Sequence, residues 1–228
     1  MKQAADAAPD TLRISMDAKA TVKVGPFSRG GKSRVPTDAA DHDVQPLASV
    51  TPVGIFLPAS DELFLYGVVS KVTSDCLVDR VEQWWESVRD RFGHIRTLVV
   101  NLDNGPENHS RRSQFLLRMV QFAHASKLTI RLAYYPPYHS KYNAVERCWG
   151  ILENHWNGAL LDTIDAVIEY AKSMTWKGVQ PRVELVTTSY ATGVKLTKEK
   201  MAVLETQVTR LRQLEKWFVD IIPLIPPG

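Results

Sequence analysis

The stretch Arg96-Thr97-Leu98-Val99-Val100-Asn101-Leu102-Asp103-Asn104-Gly105-Pro106 decides the fold. Its first seven residues are short, apolar and β-branched, which marks a buried central strand. Asp-Asn-Gly-Pro then stops the strand, because Gly and Pro set turn geometry and the Asp side chain bonds its own backbone. Upstream, Ser74 is a plausible N-cap for a helix with Leu77, Val78, Val81, Trp85, Val88 and Phe92 on one face. Downstream, Ser110 can cap a helix whose stripe is Phe115, Leu116, Met119, Val120 and Ala123. Leu128 to Tyr135 follows as another strand, closed by Pro136-Pro137. Ser140 then caps a third helix, with Val145, Cys148, Trp149, Leu152 and Trp156 facing inward.

Further toward the N-terminus, Leu12 to Asp17 alternates apolar and polar residues, the period of a half-buried strand. Residues 1–10 read as a disordered entry, and residues 25–50 as a basic loop or hairpin insertion. Pro52–Leu57 and Leu63–Ser70 form two β-type runs around Pro58-Ala59-Ser60-Asp61. The order is three strands, helix, strand, helix, strand, helix, which predicts an α/β domain over 11–158 with a mixed sheet and helices on its faces. Residues 159–228 read as a C-terminal helical extension, with one helix around Ile164, Val167, Ile168 and Ala171 and another near 197–215. Trp217–Ile222 is a candidate last strand.

Bulk composition excludes more than it assigns. The chain has 228 residues, 44% hydrophobic and 23% charged, with a net charge of +3 and a pI near 8.8. Disorder and collagen-like arrays are excluded, and the charge is too small to name a nucleic-acid binder by itself. Cys76 and Cys148 lie 72 positions apart, so no C-x-x-C metal or redox motif exists, and both are expected as reduced thiols. No apolar run approaches the length of a membrane span, and the start lacks a signal peptide's apolar segment. A cytoplasmic, nucleoid-associated protein with no membrane partner and no small-molecule cofactor is expected.

Three carboxylates stand in unusual places: Asp17 ends the first strand, Asp103 ends the buried strand, and Glu146 lies in the first turns of the helix after Pro136-Pro137. If the 96–102 strand pairs beside the first, Asp17 and Asp103 meet at neighbouring strand ends. Glu146 is about 100° around the helix from Val145, on the flank of the apolar stripe, so it can reach the sheet edge. Three hard oxygen ligands without a Cys or His cluster suit Mg²⁺ or Mn²⁺ rather than zinc. Two such ions ~3.5–4 Å apart serve phosphodiester displacement. Plainer explanations exist for each: a turn aspartate, a solvated strand end, and a glutamate favoured by the helix dipole. Glu153 is a rival on the same flank.

The distribution of charge favours the metal reading. Arg111, Arg112, Arg118, Lys127, Arg131, Lys141 and the flanking Arg147 stand against Glu107 alone between Asp103 and Glu146. Arg13, Lys19, Lys23, Arg29, Lys32 and Arg34 stand against Asp17 alone over residues 13–34. Basic segments around an acidic centre are what contact with a phosphate backbone needs. Gly25 to Ser33 approaches a phosphate-cradling GxxxxGK[ST] loop, but Pro26 stands where its first glycine belongs, and loop residues follow instead of a helix. The six histidines (His42, His94, His109, His124, His139 and His155) form no HExxH. Trp84, beside Trp85, is read as lying off the helix stripe and packing on the extension or a partner.

Leu102-Asp103-Asn104-Gly105-Pro106-Glu107-Asn108, with Tyr135-Pro136-Pro137-Tyr138-His139-Ser140-Lys141-Tyr142-Asn143 running into Val145-Glu146-Arg147, resembles the DDE transposases of bacterial insertion sequences. The likeness is to the Rhodopirellula-type DDE transposase domain and covers about residues 11–222. Ile14-Ser15-Met16-Asp17-Ala18-Lys19, Asp41-His42-Asp43 and Glu153-Asn154-His155-Trp156-Asn157-Gly158 add to it. The resemblance implies an RNase H-like fold with Asp17, Asp103 and Glu146 as catalytic, metal-binding residues. It also implies two Mg²⁺ ions, for which Mn²⁺ can substitute, and DNA, both transposon ends and target, as the partner. Lys19, Arg29, Lys32, Arg34, Arg111, Arg112, Lys141, Asn143 and Arg147 are the DNA-binding candidates, Lys141 and Asn143 being alternatively supports of the acids, and a homodimer is the candidate assembly by analogy. The first catalytic strand starts about a dozen residues in, leaving no space for the helix-turn-helix that such transposases carry. An N-terminally truncated catalytic domain with poor sequence selectivity is therefore expected. A catalytically silent remnant that binds DNA or protein, and an RNase H-like nuclease, are the alternatives.

Overall fold

The computed structural model describes residues 2–27, 45–136 and 142–224. The N-terminal run forms a short helix α1 (Lys2–Ala7), where a disordered entry was expected. Asp6 explains the difference: its carboxylate accepts two hydrogen bonds from the buried Arg13 guanidinium, at 2.6 and 2.7 Å, and so holds the helix on the sheet.

The strands are β1 (Thr11–Ala18), β2 (Val22–Val24), β3 (Ala48–Leu57), β4 (Glu62–Val68), β5 (Thr97–Leu102), β6 (Thr129–Tyr134), β7 (Arg182–Val186), β8 (Val208–Arg210) and β9 (Phe218–Ile221). They form one sheet in the order β7-β4-β3-β1-β5-β6-β9-β8, with β2 paired to β3. β3 runs antiparallel to both β1 and β4, whereas β1, β5 and β6 run parallel. Three antiparallel strands continued by two parallel crossovers give an RNase H-like α/β fold with a mixed sheet. β5 takes the central place its sequence predicts, with Leu98, Val100 and Leu102 all buried.

Strand alternation sends Leu12, Ile14 and Met16 of β1 to one face and Arg13, Ser15 and Asp17 to the other. The first face packs against α2 (Ser74–Val88) and α3 (Ser113–Ser126), in a core that includes Val81, Trp84, Phe115 and Met119. The second face carries α4 (Ala144–Trp156) and α5 (Ile164–Ser173), whose Trp149, Leu152, Trp156 and Val167 join Val50, Phe56 and Leu65. Trp84 is fully buried in the first core and presents nothing to a partner. It stands three residues after Val81 and four before Val88, so it belongs to the helix stripe after all. Both cysteines are free and buried, and burial pushes the Cys148 thiol up to about 12.

The helix starts differ from the expected caps. Thr73, not Ser74, caps α2, its hydroxyl accepting from the Cys76 N–H, while Ser74 Oγ donates to the Glu107 carbonyl at 2.7 Å. α3 begins at Ser113 without a side-chain cap, and Ser110 is buried before it. Ser140 lies outside the described residues. The C-terminal segment supplies α5 and α6 (Lys198–Glu205), but also strands on both edges of the sheet. β7 adds parallel to β4, and β9 adds antiparallel to β6 with β8 outside it. The expected helix near 197–215 therefore ends at Glu205, and the expected Trp217–Ile222 strand is found as β9.

Candidate active site

β1 and β5 pair in parallel with Ser15 opposite Asn101, so continuing that register by two residues sets Asp17 beside Asp103. Asp17 faces α4 through its bond to Trp149. A cleft of about 210 Å³ opens at these strand ends beside the start of α2, lined by Asp17, Asp103, Gly105, Glu107, Asn108 and Leu77 among others.

α4 brings Glu146 in its first turn. The helix start is fixed by β1 rather than by a local cap. Ser15 Oγ accepts from the Val145 N–H at 2.9 Å and donates to Asn143 Oδ1. Asn143 Nδ2 in turn donates to the Met16 carbonyl at 3.1 Å. One of the N-terminal N–H groups that a helix leaves unpaired is thereby satisfied across the fold. Ser15 and Asn143 are both fully buried. The first turn, with Glu146, is thus tied to the strand that carries Asp17.

Each aspartate accepts a hydrogen bond from a neutral side chain. The Trp149 indole Nε1 donates to Asp17 Oδ2 at 2.7 Å, and Asn108 Nδ2 donates to Asp103 Oδ1 at 2.8 Å. Gly105 closes on Asp103 so tightly that a Cβ there would stand 3.1 Å from its Oδ2 and 3.0 Å from Asn108 Oδ1. The loop after Asp103 is clipped to α2: Arg112 pairs with Glu107 at 3.0 Å and donates to Ser74 Oγ. Burial raises Asp17 to about 7, and the charges of Asp103 and Glu146 add to the rise, against the lowering effect of the Trp149 bond. The three acids therefore act on one another electrostatically. Among the described residues, no group of three or more His, Cys, Asp or Glu side chains stands at metal-holding spacing.

A family model of the Rhodopirellula transposase DDE domain matches residues 1–223. The chain belongs to this DDE transposase domain family. No curated protein sequence matches it.

The transposase domain places its expected DNA contacts unevenly. Arg29, Lys32, Arg34 and Lys141 lie outside the described residues, as do His42 and His139. Asn143 is fully buried, with both ends of its amide bonded to β1. Lys19 pairs with Glu153 at 2.5 Å and Arg112 with Glu107, while Arg111 and Arg147 are exposed. The basic runs in the sequence are thus partly neutralised within the fold. Arg13 pairs with Asp6, Arg118 with Asp75, Asp79 and Glu82, and Arg131 with Asp220. Glu153, the rival acid, faces Lys19 instead of the aspartates. Sequence reasoning missed Asn108, Gly105 and Trp149 as neighbours of the acids. Asn108 and Gly105 sit in the quoted motif, while Trp149 carried no signal beyond its helix stripe. No helix among the described residues is long and apolar enough to cross a membrane.

Proposed function

We propose that this domain is the catalytic part of a transposase, cleaving DNA phosphodiesters and transferring the 3′ ends with divalent cations held by Asp17, Asp103 and Glu146. The observation that carries this reading is the junction of β1, β5 and α4. Two aspartates end adjacent parallel strands, and the helix bearing Glu146 is bonded to the first of them. The donors fit the group: all three are hard carboxylate oxygens, and Asp17, raised first by burial, also lies in the field of Asp103 and Glu146. Bound there, Mg²⁺ or Mn²⁺ would supply activation of the attacking hydroxyl and stabilisation of the leaving oxygen.

The chain's own residues do the rest. Trp149 and Asn108 orient the aspartates, and the Ser15–Asn143 link sets the start of α4. Arg111 and Arg147, exposed, are candidates to meet the phosphate backbone, with Lys19 beside the site after release from Glu153. A second copy of the domain and a second DNA segment remain the proposed partners.

The test is incubation of the protein with end-labelled DNA duplex and with RNA–DNA hybrid, in Mg²⁺, Mn²⁺ or EDTA. Metal-dependent nicking of DNA, abolished by EDTA and reduced at least 100-fold in Asp103→Asn, is expected on the size of ordinary catalytic-group losses (about 10²–10⁴). Cleavage that survives Asp103→Asn contradicts the mechanism. Cleavage of the hybrid alone would establish the nuclease reading, and binding without cleavage the silent remnant.

A further inference from the structure

Trp149 sits on the apolar stripe of α4 and is buried, which a packing role alone would explain. Two observations exceed packing. First, its Nε1–H points out of that core to Asp17 Oδ2 at 2.7 Å. Second, the residue opposite Asp17 in the β1–β3 pairing is Gly54. A Cβ at position 54 would stand 2.5 Å from Trp149 Cη2 and 2.9 Å from Cζ2. Real Cβ atoms do not come so close, and the nearest atoms belong to the rigid indole ring, with Val145 Cγ2 of the same helix at 2.9 Å. The strand is therefore bare at the one place where the indole must approach it to reach the aspartate. Trp156, two helical turns further along the same stripe, is also fully buried.

The chemistry of the donor matters. An indole N–H is a donor only, it has no lone pair to compete as a ligand, and it carries no charge. A lysine or arginine in its place would orient Asp17 equally well, but would neutralise it and repel an incoming cation. An indole fixes one oxygen of the carboxylate and leaves its negative charge for a metal. Ligating carboxylates are commonly held by such outer hydrogen bonds, whose loss weakens metal affinity or activity by about 10–100-fold.

We propose that Trp149, admitted against β3 by Gly54, is a positioning residue that orients Asp17 for a divalent cation. The inference rests on the proposed metal-holding role of Asp17 and assigns it a further residue. Trp149→Phe keeps the ring and removes the N–H. The measurement is Mn²⁺ titration of the whole chain, read by calorimetry and by the metal dependence of DNA nicking, beside the melting temperature in EDTA. The expected result is a half-saturating Mn²⁺ concentration raised about 10-fold or more, with the nicking rate at saturating Mn²⁺ within a few-fold of wild type. An unchanged half-saturating concentration in folded Trp149→Phe overturns the proposal, and so does a rate that saturating metal does not restore.

The wild-type chain supplies a second readout that needs no Trp149 variant. In a ¹H–¹⁵N spectrum, one indole N–H resonance should shift both in Asp17→Asn and on addition of Mg²⁺ to wild type. If none responds to Asp17→Asn, the hydrogen bond is absent and the proposal falls by itself. If one responds to Asp17→Asn but none to Mg²⁺, and calorimetry finds no metal binding, then the metal reading of Asp17 fails first and takes the proposal with it.

Discussion

Asp17 concentrates the tension in this molecule. A carboxyl raised to about 7, first by burial and then by Asp103 and Glu146, is ionised near neutral pH only at a cost to the folded state. The neutral form is favoured in the folded chain relative to the unfolded one, so stability is fullest below about pH 4 and declines as pH rises through about 7. Asp17→Asn keeps an oxygen for the Trp149 N–H and removes the charge. In EDTA at pH 8 the variant should be more stable than wild type by about 1–2 kcal/mol, a rise in melting temperature of roughly 2–8 °C for a chain this size. Thermal melting by circular dichroism reads it directly, and a lower melting temperature for the variant would contradict the account of a strained acidic site. A site that is destabilised by its own functional groups is an ordinary compromise between stability and function. The sequence identified Asp17 by its place at a strand end, but not the indole that holds it, because a tryptophan on a helix stripe predicts burial and says nothing about where its N–H points.

At the scale of elements, the site depends on how α4 meets β1. The stripe Val145, Cys148, Trp149, Leu152 and Trp156 was readable from spacing alone, and all five residues are buried. Its cap was not readable, because Ser15 lies 130 residues from the Val145 N–H that it accepts. A local search for Ser, Thr, Asp or Asn ahead of the helix finds neighbours in sequence and misses a donor or acceptor supplied by another strand. Ser15→Ala would leave the Val145 N–H and the Asn143 Oδ1 without this partner in a fully buried place. That change should cost about 1–3 kcal/mol of stability in urea unfolding, and a loss below 0.5 kcal/mol would show that the helix start is held by packing instead. The strands at the C-terminal end were hidden for a related reason. β7 is an edge strand in which charged Arg182 and Glu184 alternate with Val183 and Leu185, and its four leading residues are exposed or half-buried. Such short, charged edges give little apolar signal.

The whole molecule carries its chemistry in the strand order. Antiparallel β4-β3-β1 followed by parallel β5 and β6 puts the ends of β1 and β5 side by side, and the choice of β5 as the central strand was legible in one apolar run. Charge was a poorer guide at this scale. Several cations that bracket the acids in sequence, Arg13, Arg118 and Arg131 among them, close ion pairs with acids of other segments once the chain is folded. Counting charges along a sequence does not register partners brought in by topology. The central claim is that Asp17, Asp103 and Glu146, which are 129 positions apart from first to last, share one divalent cation site. Iron(II) substituted for Mg²⁺, with ascorbate and peroxide, generates hydroxyl radicals at the metal and cuts the chain around it. Cuts should cluster near residues 17, 103 and 146, be suppressed by excess Mg²⁺ and be lost in Asp103→Asn. Cuts that cluster elsewhere, or that persist unchanged in Asp103→Asn, would contradict that claim.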